Sequence, residues 1–202
     1  AIGHSARDTV EMLYKNGAQI IQKPFSVGAR IEHPQKLIDK AQYGAFAGHP
    51  KLGAADYKLS CHGLHQRGAY TFCMCPGGTV VAAASEKGGV IVNGMSTLAR
   101  DGENANSALL VGIDPVDFPS EHPLAGMYYQ REIEQNAFAL GGGDYRAPAQ
   151  LVGDFLADRE SRALGNVQPT CPTGVTLTNL RYCLPDKVRT TMQAAITEMD
   201  KR

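Results

Sequence analysis

The run FCMCPGG, Phe72 to Gly78, sets two thiols one residue apart immediately before a proline-glycine-glycine turn. Shortly upstream, CHGLH supplies Cys61, His62 and His65. Thiolate and imidazole suit zinc, so Cys61, His62, His65, Cys73 and Cys75 make up the metal set that the sequence offers. Their spacing matches no finger or ribbon pattern, and cysteine is also an ordinary small buried residue. Strand alternation would put Thr71, Cys73 and Cys75 on one face and Tyr70, Phe72 and Met74 on the other. At roughly 6–7 Å along such a strand, the two sulfurs would be too far apart for a relaxed disulfide. Metal ligation, thiol redox chemistry and simple packing in a pocket wall all stay open on these residues alone, with no metal as the first expectation.

A second polar constellation follows in NGMSTLARDGENANSA, Asn93 to Ala108, which holds Asn93, Ser96, Arg100, Asp101, Glu103, Asn104 and Asn106 between two apolar runs. A plain hairpin needs far fewer residues, so this stretch reads either as ligand-binding or as a solvated loop. Ser5, Arg7 and Asp8 at a helix start could present backbone N–H groups to a phosphate or ribose, or could simply cap the helix. Gly141-Gly142-Gly143 ends a helix or lets a backbone approach a ligand. None of these glycines stands in a strand-G-x-G-x-x-G-helix context, and no G-x-x-x-x-G-K-[ST] occurs.

The elements that must position these groups read as α+β. A helix is predicted over 6–16, with Val10, Leu13 and Tyr14 on one face, then a short strand at Ile20-Ile21 and another over 24–31. His33-Pro34 should open a second helix, with Leu37, Ile38 and Ala41 inward and Gly44 as its stop. Strands are predicted over 54–60, 69–74, 79–84, 89–93 and 107–113. Pro76-Gly77 fits the centre of a type II turn joining the second and third of these into an antiparallel hairpin. Helices are expected from Pro123 to Leu140, from Pro148, near Leu180 behind Thr176 or Thr178, and from Pro185 to Met199. About five helices, not counting the short one near Leu180, beside an antiparallel or mixed sheet, without regular strand-helix alternation, argue against a doubly wound domain.

The 202 residues balance 20 Lys and Arg against 20 Asp and Glu. Zero net charge without a basic run gives no electrostatic case for nucleic acid or a membrane surface. No apolar run approaches the roughly 20 residues of a spanning helix. Five irregularly spaced cysteines read as reduced thiols in a cytoplasmic protein. The opening Ala1-Ile2-Gly3 resembles the end of a buried strand with a helix starting at once, which suggests a piece of a longer polypeptide.

The strings AIGHSARDT, PFSVGARIEHPQ, GAYTFCMCPGG, NGMSTLARDGENANSALLV and GGGDYRAPAQLVGDFL together resemble bacterial FAD-dependent dehydrogenases, the NAD(FAD)-utilising dehydrogenases. The resemblance covers nearly the whole chain. It implies the inserted, substrate-side domain of a Rossmann-like flavoprotein, with residues 1–17 ending an FAD-domain strand and its helix. Residues 18–202 would form the inserted domain, with a helical subregion over 121–202. It further implies that Gly3, His4 and Ser5 approach the cofactor in the parent enzyme. Cys73, Cys75, Pro76, Gly77, Gly78, Asn93, Arg100, Asn104 and Asn106 would face flavin or substrate. The parent would be an FAD-dependent dehydrogenase acting on a small molecule. Its partners in this segment would be the FAD-binding portions of the same chain, and the segment alone would retain no FAD and little activity. A zinc module and a noncatalytic interaction domain are the alternatives.

Overall fold

The computed structural model describes residue 3 and residues 5–201. Helix α1 (Arg7–Lys15) leads through an extended segment to strand β1 (Phe25–Pro34) and helix α2 (Gln35–Tyr43). Strands β2 (Ser60–Leu64), β3 (Arg67–Cys75), β4 (Gly78–Ala82), β5 (Val92–Ser96) and β6 (Asn104–Ile113) follow. The remainder is α3 (Ala125–Gly141), β7 (Ala147–Ala149), α4 (Val152–Leu156), β8 (Val175–Leu177) and α5 (Asp186–Met199). The architecture is α+β, with five α-helices among the described residues and an antiparallel main sheet of order β1-β6-β3-β2. β4 and β5 form a separate antiparallel pair, and β7 and β8 a short parallel one.

The expected hairpin across Pro76-Gly77 does not form. β3 pairs with β2 and β6, while β4 leaves the main sheet and pairs with β5. Gly77 explains why: it sits at φ +50°, and a Cβ there would lie 2.0 Å from the Arg100 carbonyl. The turn is therefore wedged against the 97–102 loop rather than folding β4 back on β3. Other boundaries move for local reasons. Residues 54–59 are not a strand, because the Ala55 N–H donates to Asp39 Oδ1 at 2.8 Å instead of joining a ladder. Pro34 closes β1 and caps α2 in extended conformation, Pro148 lies in β7, and Ile20-Ile21 forms no strand. Leu37 and Ala41 on α2 are exposed, so that helix is not packed as its apolar spacing predicts. The first helix begins after Ala6, whose side chain makes no cap, and Asp8 accepts from the Thr9 N–H.

Register divides the main sheet into two faces. Directly paired residues share a face, so Val27, Ala29, Ala69, Leu109, Val111 and Ile113 project together. With Cys61 they pack on Val188, Met192, Ala195 and Met199 of α5, forming the core. Among the described residues, no second helix packs on the opposite face as α5 does on this one. α1 is fastened elsewhere: Arg7, only 2% exposed, holds Glu134 of α3 through two bonds of 2.6 and 2.9 Å and Glu86 at 2.6 Å. Arg131 grips the same Glu86 and also Glu11.

Candidate functional site

The face turned away from α5 is built from the even positions of β1 and β6. Ser26 pairs with Gly112, Gly28 with Leu110, Arg30 with Ala108 and Glu32 with Asn106. On the other side of β6, Tyr70 lies across from Leu110, Phe72 across from Ala108 and Cys75 across from Asn106. The alternating run Ser26-Val27-Gly28-Ala29-Arg30-Ile31-Glu32 accounts for this: apolar residues go to the core, and small or charged ones to the open side.

Between Phe72 and Cys75 the pairing with β6 slips by one residue. Cys73 bulges there at φ +45°, a conformation disfavoured for a residue with a Cβ. The bulge breaks the alternation that would place both cysteines on one face. Cys73 is exposed and Cys75 half-buried. Its carbonyl, freed from the ladder, accepts from Arg30 Nη2 at 2.6 Å and from the Cys75 thiol at 3.3 Å.

Arg30 is the centre of the cluster. Its Nε donates to Asn106 Oδ1 at 2.7 Å, and Nη2 also lies 3.5 Å from Cys75 Sγ. Asn106 has no exposed surface, and its Nδ2 is buried without a partner, which costs about 1–3 kcal/mol. The amide thus gives up one hydrogen bond to present its oxygen to Arg30. Strand β5 crosses over this end of the face at Gly94, where a Cβ would fall 2.2 Å from Arg30 Nη2 and 2.3 Å from Asn106 Oδ1. Glu32, the nearest acid on the same strand face, is engaged elsewhere: it accepts from the Thr170 N–H and hydroxyl and from Asn104 Nδ2.

The proline-glycine turn is braced by Gln35 Oε1, which accepts from the Gly77 N–H at 2.8 Å, and by Ser96, whose hydroxyl donates to the Pro76 carbonyl at 2.7 Å. Pro76, Gly77 and Gly78 are buried. Of the residues singled out in the sequence, Cys73, Cys75, Pro76, Gly77, Gly78 and Asn106 come together here. Asn104 is buried one pair further along, also bonded to the Gln168 carbonyl at 2.8 Å. Asn93 is exposed on β5, its side-chain oxygen held by the Gly94 N–H. Arg100 is exposed at a positive φ and contributes its backbone carbonyl to the Gly77 contact. Gly3 lines a separate cleft of about 380 Å³ with Arg7, Ile20, Phe25 and Phe118, beyond the other end of β1. Ser5 sits in the turn before α1, and His4 lies outside the described residues.

The five metal-ligand candidates do not converge. Cys61 is buried in the core face, Cys75 belongs to the opposite face, and His62 and His65 are exposed. His65 occupies the β2–β3 turn, where it and Gln66 both have positive φ. Among the described residues no three His, Cys, Asp or Glu side chains are placed to share a metal, and no disulfide forms.

Sequence reading passed over Arg30, Gln35 and Tyr70, although the first was legible in the β1 alternation. Behind the sheet it also missed His33 and Tyr57, whose ring nitrogen Nε2 and hydroxyl are 2.8 Å apart. Burial pushes the Tyr57 phenol up to about 12 against the opposing pull of a Ser107 hydrogen bond and the Arg30 charge. Burial likewise lowers His33. Burial thus disfavours the charged form of both groups.

The chain matches known proteins over most of its length. The family model described as "FAD-dependent protein, C-terminal domain-like" matches residues 24–202. An uncharacterized protein of Clostridium beijerinckii is 54% identical over 203 residues, covering 100% of this chain and 38% of that protein. The chain thus spans well under half the length of this relative.

Proposed function

The chain belongs to the family of FAD-dependent protein, C-terminal domain-like sequences, and from that premise we propose that it is the substrate-side wall of a flavin site in a longer oxidoreductase. The observation that carries this reading is the sheet face turned away from α5, where half-buried Gly28 and Leu110 and the buried Ala108 lie beside exposed Phe72, ending at the fixed Arg30 guanidinium. A planar ring system can lie against such a face, and FAD, when bound, supplies hydride transfer at its ring. The residues present fit the ring end of the cofactor rather than its phosphates, since no glycine-rich phosphate fingerprint occurs in the chain.

The chain's own contribution is position and charge. Gln35, Ser96 and the Arg100 carbonyl fix the Cys73–Gly78 segment, so that Cys75 and the Cys73 carbonyl keep Arg30 in place. Phe72 and Leu110 exclude water from that face once a ligand or a neighbouring domain covers it. The longer chain's FAD-binding portion is the partner that would supply the cover, and the other substrate is a small molecule.

Purifying the longer chain and this 202-residue chain side by side tests the reading. Flavin absorbance is expected in the longer chain and little or none in the shorter. A colourless longer chain that takes up no added FAD would overturn it.

A further inference from the structure

Resting on the reading of the open face as the substrate side, we propose that this face binds a small organic carboxylate with a flat apolar body, and that Arg30 receives the carboxylate. Arg30 has no acidic partner among the described residues. Its contacts go to the Asn106 amide oxygen, the Cys73 backbone carbonyl and the Cys75 sulfur, while Glu32 is turned to Thr170 and Asn104. A half-buried guanidinium held this way keeps an unbalanced positive charge. Its hydrogen bonds among the described residues run through Nε and Nη2, so the Nη1 edge of the fork is left for an incoming anion.

The surroundings define the body of that anion. One residue pair along the sheet lies Gly28 with Leu110 and Tyr70; in the next pair lie Arg30, Ala108 and Phe72. No side chain rises from Gly28, and little from Ala108. Tyr70 and Phe72 meet edge to face with centroids 6.4 Å apart, forming an aromatic flank. Beyond them Tyr70 donates its hydroxyl proton to Ser26 Oγ at 2.9 Å, which offers a polar end away from Arg30. Carboxylate at one end and a flat apolar middle match this order of groups, whereas a phosphate alone would use only the first.

The test is a titration of the isotopically labelled chain with benzoate, with its neutral counterpart benzamide and with inorganic phosphate, followed by amide and arginine Nε–H resonances. Benzoate is expected to give saturable shifts at Gly28, Tyr70, Leu110 and the Arg30 Nε–H, and benzamide and phosphate are not. Arg30→Gln should weaken benzoate at least about ten-fold, the usual scale for losing a charged hydrogen-bond partner. Arg30→Lys should fall between, because lysine restores charge without the planar fork. Retained dispersion of the β6 resonances shows that each variant is folded. No saturable shift with benzoate, equal shifts with phosphate, or undiminished binding in folded Arg30→Gln would each overturn the proposal. A longer chain whose flavin spectrum ignores benzoate, although benzoate binds through Arg30, would keep the carboxylate site and refute its place beside the flavin.

Discussion

At the scale of single residues, Arg30 and Gly77 decide the geometry of the site, and neither does so through its own chemistry alone. Arg30 is placed by an amide that leaves one of its own donors unpaired and by a carbonyl released at a bulge. Gly77 combines a positive φ with backbone contact to Arg100. Gly77→Ala should therefore cost about 2–4 kcal/mol, the sum of a left-handed alanine and an unrelieved backbone clash. A lowered denaturation midpoint at unchanged slope would register it. Thiol accessibility provides a second check. Iodoacetamide at neutral pH should modify exposed Cys73 first, while Cys61, Cys171 and Cys183 stay protected in the folded chain. Cys183 has a further reason to be inert, since burial pushes its thiol up to about 11. Peptide mass mapping that found Cys183 labelled ahead of Cys73 would contradict this placement.

At the scale of elements, α1 is tied down by charge more than by apolar contact. Met12, Leu13 and Tyr14 remain exposed, whereas Arg7 is buried against Glu134 and Glu86. Arg7→Ala would remove two charge-assisted hydrogen bonds from the mostly buried Glu134 and one from Glu86, and a loss of about 3–5 kcal/mol is expected from calorimetry of the folded chain. The same clasp predicts acid sensitivity. Hydrogen bonds from Arg131, opposed by partial burial and reinforced by Arg7, hold Glu86 down at about 2 against an ordinary value of 4.5. Because the folded value is the lower one, its stabilisation is complete above about pH 4.5 and is lost as pH falls toward 2. The protection of α1 amides against hydrogen exchange, taken relative to their intrinsic rate at each pH, should fall over that window in the natural chain. In Glu86→Gln that protection should be low already at neutral pH.

Elements were also where sequence reading was most uneven. Helices α1, α3 and α5 and the strand at β6 follow from their apolar spacing and stop signals. The pairing of β3 did not follow, because a proline-glycine turn specifies a reversal but not which strand receives it. Alternation predicted both cysteines on one face, and a single inserted residue at Cys73 undid that prediction. Local patterns cannot register a bulge whose freed carbonyl is taken up by an arginine on another strand.

At the scale of the whole molecule, one sheet face is committed to α5 and the core, while the other carries the polar and aromatic groups. That division was legible in β1 from the residues alone; its meaning came from family membership, which the quoted strings suggested and the match over residues 24–202 established. The described part of the molecule contains no helix long and apolar enough to cross a membrane. The central claim is that the open face lies against flavin in the longer protein. The chain has no tryptophan, so Phe72→Trp places a single reporter on that face within this domain, and Tyr182→Trp places one beside α5. The most direct measurement is the fluorescence each added tryptophan contributes to the longer chain with FAD bound and with FAD removed. Strong quenching by FAD at position 72 and weak quenching at position 182 is the predicted result. Equal quenching at both positions, or stronger quenching at 182, would contradict the account.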